Sequence, residues 1–257
     1  MPYRETPATR AARERKREAL LDAARTIVAE HGFAGANVQA LAARAGVSTG
    51  GVYSYFPTKA DLLVAVFRQA ADVELDAVRT AAAARPDDPP GDRTVARLGR
   101  AVDTFARRAL RGPTLAWALL LEPVHPAVDA ARLEYRRAYA ETFAEVVRAG
   151  VDAGEIPDQD VTVVATALVG AIGESLTGPL SPLAGGGPTA SDRTVPLAGG
   201  GPTASDRTVP LAGGGPTASD GTVPHAVRDA VVATILRFCL GAVGARAAVA
   251  APASAPA

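Results

Sequence analysis

Apolar residues recur at intervals of three and four along most of the chain, and alternation with a period of two is nearly absent. That pattern predicts helices rather than strands. Leu20, Leu21, Ala24, Ile27 and Val28 form one such stripe in a segment that reads as helical from Thr9 to about Glu30. His31-Gly32 is its expected stop, because glycine accepts positive φ. Asn37 reads as the cap of a short helix through about Ala45, and Ser48 as the cap of another through about Tyr55. After Pro57, the run Thr58-Lys59-Ala60-Asp61 has the spacing of a capping box, and its helix extends toward Arg85-Pro86. Further helices are expected at about 92–111, 113–122, 126–153, 159–177 and 224–246. On 126–153, Val128, Leu133, Tyr139, Phe143, Val146 and Val147 lie on or near one stripe. Eight or nine helices without a convincing strand predict an all-α fold.

A repeat interrupts this pattern. PLAGGGPTASDRTV occupies 182–195 and again 196–209, and PLAGGGPTASDGTV occupies 210–223. Each copy holds three Gly and two Pro among 14 residues, with only Leu and Val as sizeable apolar groups. Such a segment buries too little surface to offset the entropy of ordering it, so 182–223 is expected to be a disordered insertion.

The strongest local signal is VQALAARAGVSTGGVYSYF, from Val38 to Phe56. Two helices crossing steeply over a short turn need a small residue at the crossing, and Ala42 supplies it. The turn needs a residue that tolerates positive φ, which Gly46 provides. The second helix needs a branched apolar residue aimed back at the crossing, and Val52 fits. Leu41, Val47 and Tyr55 or Phe56 complete the small core. Ala, Gly and Val so spaced form a helix-turn-helix pattern. Ser48, Thr49, Gly50, Gly51, Tyr53 and Ser54 then lie on the helix that enters the major groove, where amides and hydroxyls donate to phosphates and small residues admit close approach.

Residues 18–68 resemble the tetracycline-repressor (TetR) family of bacterial regulators. The helix ending in HGF, the GVSTG turn, the YSYF end of the second short helix and PTKADLL match in order. The resemblance implies a three-helix DNA-binding domain over 18–68 and a larger helical domain for ligand binding and dimerisation over 69–250. A basic arm over 1–17 and a tail over 251–257 complete the expected organisation. It also implies a homodimer on a palindromic double-stranded DNA operator, released by an unidentified small-molecule effector. Thr49, Gly50, Tyr53 and Ser54 occupy base- or backbone-contacting positions of the family. Lys59 corresponds to a phosphate contact, with a plain solvated cation as the alternative, and Asn37 stands where the family often has Thr. Gly51 departs from the more usual Thr or Ala and removes one side chain that could read a base. Tyr53 and Tyr55, one residue apart, cannot both face one interior, and Tyr55 is the expected inward one.

Charge sharpens the picture. The chain has 27 basic and 27 acidic residues. Yet residues 1–68 carry ten basic against six acidic, which puts a basic end on an acidic body. Arg10, Arg13, Arg15, Lys16 and Arg17 form an arm that either reaches phosphates or the minor groove or stays solvated. The first 17 residues have no apolar core resembling a signal peptide. The longest apolar stretch, Val161 to Gly173, stops at Glu174, short of the roughly 18 residues a spanning helix needs. The expectation is a soluble cytoplasmic protein with no membrane partner.

An enzyme reading fares worse. Gly46-Val47-Ser48-Thr49-Gly50 matches the G-x-S-x-G elbow of hydrolases, but that elbow needs a preceding strand. Cys239, flanked by apolar residues in ILRFCLG, reads as an inert core thiol. No cofactor or metal is implied. In the body, Trp117, His125, Tyr135, Tyr139 and Phe143 are candidate pocket residues, with Glu122 and Arg136 as polar anchors. Val161, Val164, Leu168, Ile172 and Leu176, with Val231, Ile235, Phe238 and Val243, make stripes suited to a dimer interface. An architectural DNA binder with a filled body is the alternative to a ligand-responsive regulator.

Overall fold

The computed structural model describes residues 6–181 and 225–245, and among these every regular element is an α-helix. In chain order they are α1 (Pro7–Gly35), α2 (Val38–Ala45), α3 (Thr49–Tyr53), α4 (Lys59–Ala82) and α5 (Arg93–Arg111), followed by α6 (Pro113–Leu120), α7 (Pro126–Asp152), α8 (Val161–Leu180) and α9 (His225–Ala242). The three 14-residue repeats and the tail lie outside the described residues.

Local chemistry sets most helix starts. Asn37 Oδ1 accepts the Ala40 amide at 2.7 Å, and Ser48 Oγ accepts the Gly51 amide at 3.0 Å. Thr58 and Asp61 exchange bonds at 3.1 and 3.0 Å to close the capping box. Asp160 caps α8 through the Thr162 and Val163 amides, both at 3.0 Å. Each cap satisfies amides that have no partner within their own helix.

Two apolar clusters form. One gathers α1 to α3 and the first half of α4 around Leu20, Val28, Leu41, Val52 and Phe67, joined by Ala118, Leu119, Val128 and Ala131 of the body. The other packs α5, α7, α8 and α9 around Leu98, Val102, Phe143, Leu168, Ile172 and Cys239. α4 serves both: Leu62 to Ala71 belong to the first cluster, and Leu75, Val78 and Ala82 to the second. The boundary expected at 68/69 therefore falls inside one continuous helix, so the two units share α4 rather than being linked by loop.

Several expectations change. α1 starts at Pro7 with Thr6 as its cap, two residues before the expected Thr9, so the basic residues of 7–17 ride on helix throughout. Proline at the first helical position and a run of Ala, Arg, Glu and Lys favour that extension without any apolar stripe. Leu133 is exposed, because the buried positions of α7 step through Val128, Ala131, Tyr139, Thr142 and Val146 and bypass it. α8 continues past Glu174 to Leu180, three residues beyond its expected end at 177. By length and composition α8 meets the criterion for crossing a bilayer, yet its inner face is core of the body, packed against α5, α6, α7 and α9.

The stripes assigned to a dimer contact are also largely internal. Leu168, Ile172 and Leu176 on α8, and Ile235 and Val243 on α9, are buried in the chain's own core. Val161, Val164 and Val231 are half-buried against it. Of the residues named, only Phe238 is exposed, at 60%. A 3.6-residue stripe identifies a buried face but not whose surface buries it.

Candidate functional site

The helix-turn-helix assembles as its small residues require. Gly46 ends α2 at φ 66°, ψ 31°, a left-handed turn that sends the Val47 amide back to the Ala42 carbonyl at 3.0 Å. Ala42 and Val52 are buried at the crossing of α2 and α3. With Val52 committed inward, Ser48, Thr49, Gly50, Tyr53 and Ser54 all face solvent, and Tyr53 is 43% exposed. Gly51 is half-buried, and a Cβ there would stand 3.3 Å from Ser48 Oγ, whereas one at Gly50 would meet nothing within 4 Å. Asn37 and Lys59 are exposed on either side of this helix in sequence. Tyr55 is half-buried and Phe56 buried, so the inward member of the tyrosine pair is Tyr55. Ser48 lies between two helices as a cap, not at a strand-to-helix elbow.

The helical extension of α1 leans on the same unit. Arg13 donates to the Ser54 carbonyl at 3.4 Å and sits over the Tyr55 ring at 6.0 Å. Arg17 sits 5.5 Å from the centre of the Phe56 ring. A basic helix face is thereby placed beside the carboxyl end of α3.

Between the two apolar clusters lies a cavity of about 380 Å³. α4 contributes Phe67, Ala71, Glu74 and Val78; α5 contributes Phe105, Arg108, Ala109 and Arg111. Leu115, Ala116, Leu119 and Leu120 of α6 and Val169 and Gly173 of α8 add further wall. α7 presents Arg132, Tyr135, Arg136 and Tyr139 along one face. The lining is mostly apolar with few polar groups, the usual make-up of a small-molecule site.

Those polar groups differ in how far they are already satisfied. Arg108 is held by both oxygens of Glu74, at 2.6 and 2.9 Å, and this bonding raises its pKa further. The Tyr135 hydroxyl donates to Asp72, with the Arg68 carbonyl 3.1 Å from the same oxygen. Tyr139 packs edge-on against Phe105 at 5.0 Å, and burial drives its hydroxyl well above the ordinary phenol range. Arg111 and Arg136 are exposed at the cavity and have no ion-pair partner among the described residues.

Of the pocket residues expected from sequence, Tyr135, Arg136 and Tyr139 line this cavity, and Trp117, Glu122, His125 and Phe143 do not. Phe143 is fully buried in the body's core, and Trp117 packs against that same core. His125 is exposed, and its Nδ1 caps α7 by accepting the Ala127 amide at 3.2 Å. Glu122 turns away to the α1 backbone, accepting the amides of Phe33 and Ala34. Sequence reasoning missed Glu74, Arg108, Arg111 and Arg132. The spacing of Arg132, Tyr135, Arg136 and Tyr139 at three and four residues was a usable signal for the α7 wall.

An exposed helix-turn-helix joined by a continuous helix to a cavity-bearing, all-helical body defines a DNA-binding transcriptional regulator. Residues 20–66 match the family described as bacterial regulatory proteins, tetR family, and residues 91–177 match the tetracyclin repressor-like C-terminal domain. The chain belongs to the TetR family. It is 29% identical over 108 residues to the HTH-type transcriptional repressor KstR of Rhodococcus jostii (strain RHA1), a match covering 42% of this chain and 47% of that relative. The chain thus spans about half the length of that curated relative. A TetR transcription regulator from Haloarcula marismortui has a similar structure at 25% identity and a TM-score of 0.54, covering 64% of this chain and 85% of that one. FadR from Bacillus subtilis, solved in complex with stearoyl-CoA, is similar at 22% identity and a TM-score of 0.53, covering 62% and 84%.

Proposed function

We propose that this chain is a dimeric, effector-responsive repressor that occupies a palindromic operator in the cytoplasm and leaves it when a small molecule fills the cavity. The observation that carries this reading is the connection of the two sites. Phe67, Ala71, Glu74 and Val78 wall the cavity from the helix whose first residue, Lys59, follows the end of α3 by six positions in the chain. Thr49 and Tyr53 read base edges, Asn37, Ser48, Ser54 and Lys59 hold phosphates, and Gly50 and Gly51 let the backbone close on the groove.

Dimerisation uses the outer faces of α8 and α9. Val163 is 62% exposed and Val227 49%, and with Phe238 they flank small residues such as Ala167, Gly170, Ala230 and Thr234. An open groove lined by Ser175, Val227, Ala230, Val231 and Phe238 lies on this surface. A second copy covering it makes a two-fold dimer, and such a dimer reads half-sites about 34–36 Å apart, one turn of duplex.

The effector class is an anionic amphiphile. The apolar walls take a hydrocarbon portion, and Arg111 and Arg136, free of carboxylate partners among the described residues, take an acidic head group. Stearoyl-CoA, the ligand of the B. subtilis FadR, has this chemistry. An effector that binds one subunit arrangement better than the other weakens operator affinity by that difference, tenfold for about 1.4 kcal/mol. The open cavity favours this reading over an architectural binder with a filled body.

Fluorescence anisotropy with DNA from upstream of the gene, over a salt series, tests it. Specific DNA should bind about a thousandfold or more tighter than a scrambled duplex, and stearoyl-CoA should reverse the binding. Equal affinity for scrambled DNA refutes the operator claim, and indifference to every acyl probe refutes the effector claim.

A further inference from the structure

Gly32 breaks α1 with φ 67° and ψ −176°, after which the chain makes one more helical turn through Gly35. The break strips Phe33 and Ala34 of the carbonyls that would otherwise receive their amides. The acceptors come instead from the body. Glu122, in the connection between α6 and α7, takes the Phe33 amide at 2.8 Å through Oε2 and the Ala34 amide at 2.9 Å through Oε1. Approach this close requires glycine at 32, since a Cβ there would stand 2.8 Å from Glu122 Oε2.

The Glu122 backbone is held in its turn. Arg132 donates to the carbonyls of Glu122 at 2.9 Å, Leu119 at 2.9 Å and Ala118 at 3.3 Å. Its guanidinium also lies 5.9 Å from the centre of the Phe67 ring. Arg132, Phe67 and Leu119 are walls of the cavity. At the other end, the clamped turn leads directly into Asn37, which caps the first helix of the helix-turn-helix. The chain cavity–Arg132–Glu122–Phe33/Ala34–α2 is contiguous, and its Glu122 link joins segments 88 and 89 positions apart.

We propose that Glu122 is the positioning residue that fixes the aim of the helix-turn-helix relative to the body, and that Arg132 makes this clamp sensitive to what occupies the cavity. The inference rests on the effector reading above for its second half only. An occupant that draws Arg132 from its three carbonyls loosens the 118–122 segment, and Glu122 then no longer holds the α1 turn in one place. The helix-turn-helix stays folded, because its own core of Leu41, Ala42 and Val52 is untouched, but its spacing from the dimer mate is no longer fixed.

The test uses the full-length protein as wild type, Glu122→Gln and Glu122→Ala, on operator duplexes with the natural half-site spacing and with one base pair added or removed. Wild type should discriminate against altered spacing by tenfold or more. Glu122→Ala should lose most of that discrimination, and Glu122→Gln, which keeps one carbonyl acceptor, should fall between. Hydrogen exchange should speed up at the Phe33 and Ala34 amides in Glu122→Ala while Leu20 and Val28 stay protected. Unchanged spacing discrimination, or unchanged exchange at those two amides, overturns the proposal. With stearoyl-CoA as probe, Glu122→Ala should bind the probe within about twofold of wild type yet transmit less than a third of the wild-type loss of operator affinity; full transmission overturns the coupling. A wild-type protein that ignores the probe counts against the effector reading alone, because the spacing and exchange results still decide the clamp.

Discussion

Gly32→Ala is the most quantitative perturbation the structure offers. Its φ of 67° with ψ of −176° lies in a region essentially reserved for glycine, where another residue costs about 1–3 kcal/mol. The new Cβ would also sit 2.8 Å from Glu122 Oε2 and 3.2 Å from Oε1, so the carboxylate must move. Hydrogen bonds to a charged acceptor are worth about 1.5–3 kcal/mol when buried, and the partial exposure of Glu122 reduces that toward about 1 kcal/mol. Alanine restricts the unfolded chain and returns only about 0.4–1 kcal/mol. Strain and lost bonding therefore win, with a net loss of about 1–3 kcal/mol. For a chain of this size that lowers the melting midpoint by roughly 3–10 °C.

The assay is calorimetric melting at one fixed protein concentration, since the midpoint of any associating protein depends on concentration. Glu122→Ala alone removes the two bonds and adds no strain, so it should cost less than Gly32→Ala. The double variant has no carboxylate to clash with and should cost less than the sum, with a coupling of about 1 kcal/mol. A Gly32→Ala protein melting within 1 °C of wild type, or strict additivity in the cycle, would refute the reasoning.

Three further outcomes are expected. Tyr53→Ala should change stability by no more than about 0.5 kcal/mol, as surface changes do. It should also lower operator affinity about tenfold or more in titrations against specific duplex; an unchanged affinity would remove Tyr53 from the interface. Asp88 accepts Arg100 and the Arg85 amide, with Arg100 Nη1 at 2.5 Å, and these bonds hold its carboxyl below the usual value of 3.8. A lowered folded pKa gives stability that is whole above pH 3.8 and lost as pH falls toward the folded value, so Asp88→Asn should show a shallower acid limb than wild type in melts below pH 4. Cys239 is fully buried, and burial pushes its thiol up to about 11. Thiol reagents at pH 8 should label it about a hundredfold more slowly in the native protein than in urea, and prompt native labelling would contradict its place in the core.

How far the sequence disclosed this structure depends on the range of the interaction. Asn37, Ser48 and Thr58 act on amides three residues away, and Gly46, Ala42 and Val52 act within one tight corner, so each was readable locally. The cavity was not. Helical spacing shows which face of α7 turns inward, yet Tyr139 lines the cavity while Phe143, one turn later on the same face, is fully buried in the core, and only the packing of the surrounding helices decides between them. His125 carried an unread signal: a polar residue directly before Pro126 is a natural cap. Glu122 carried none, because its partners at Phe33 and Ala34 are 89 and 88 positions away. The α8 and α9 stripes misled for a related reason, since a chain's own core and a partner's surface demand the same apolar periodicity.

The central claim is that α3 reads a duplex from a paired protein. Selection of bound sequences from a random duplex library, using the purified full-length chain, tests it most directly. The account predicts enrichment of an inverted repeat whose half-sites are about one helical turn apart, lost with Tyr53→Ala. Recovery of no common sequence, or of a single unpaired half-site, would contradict it.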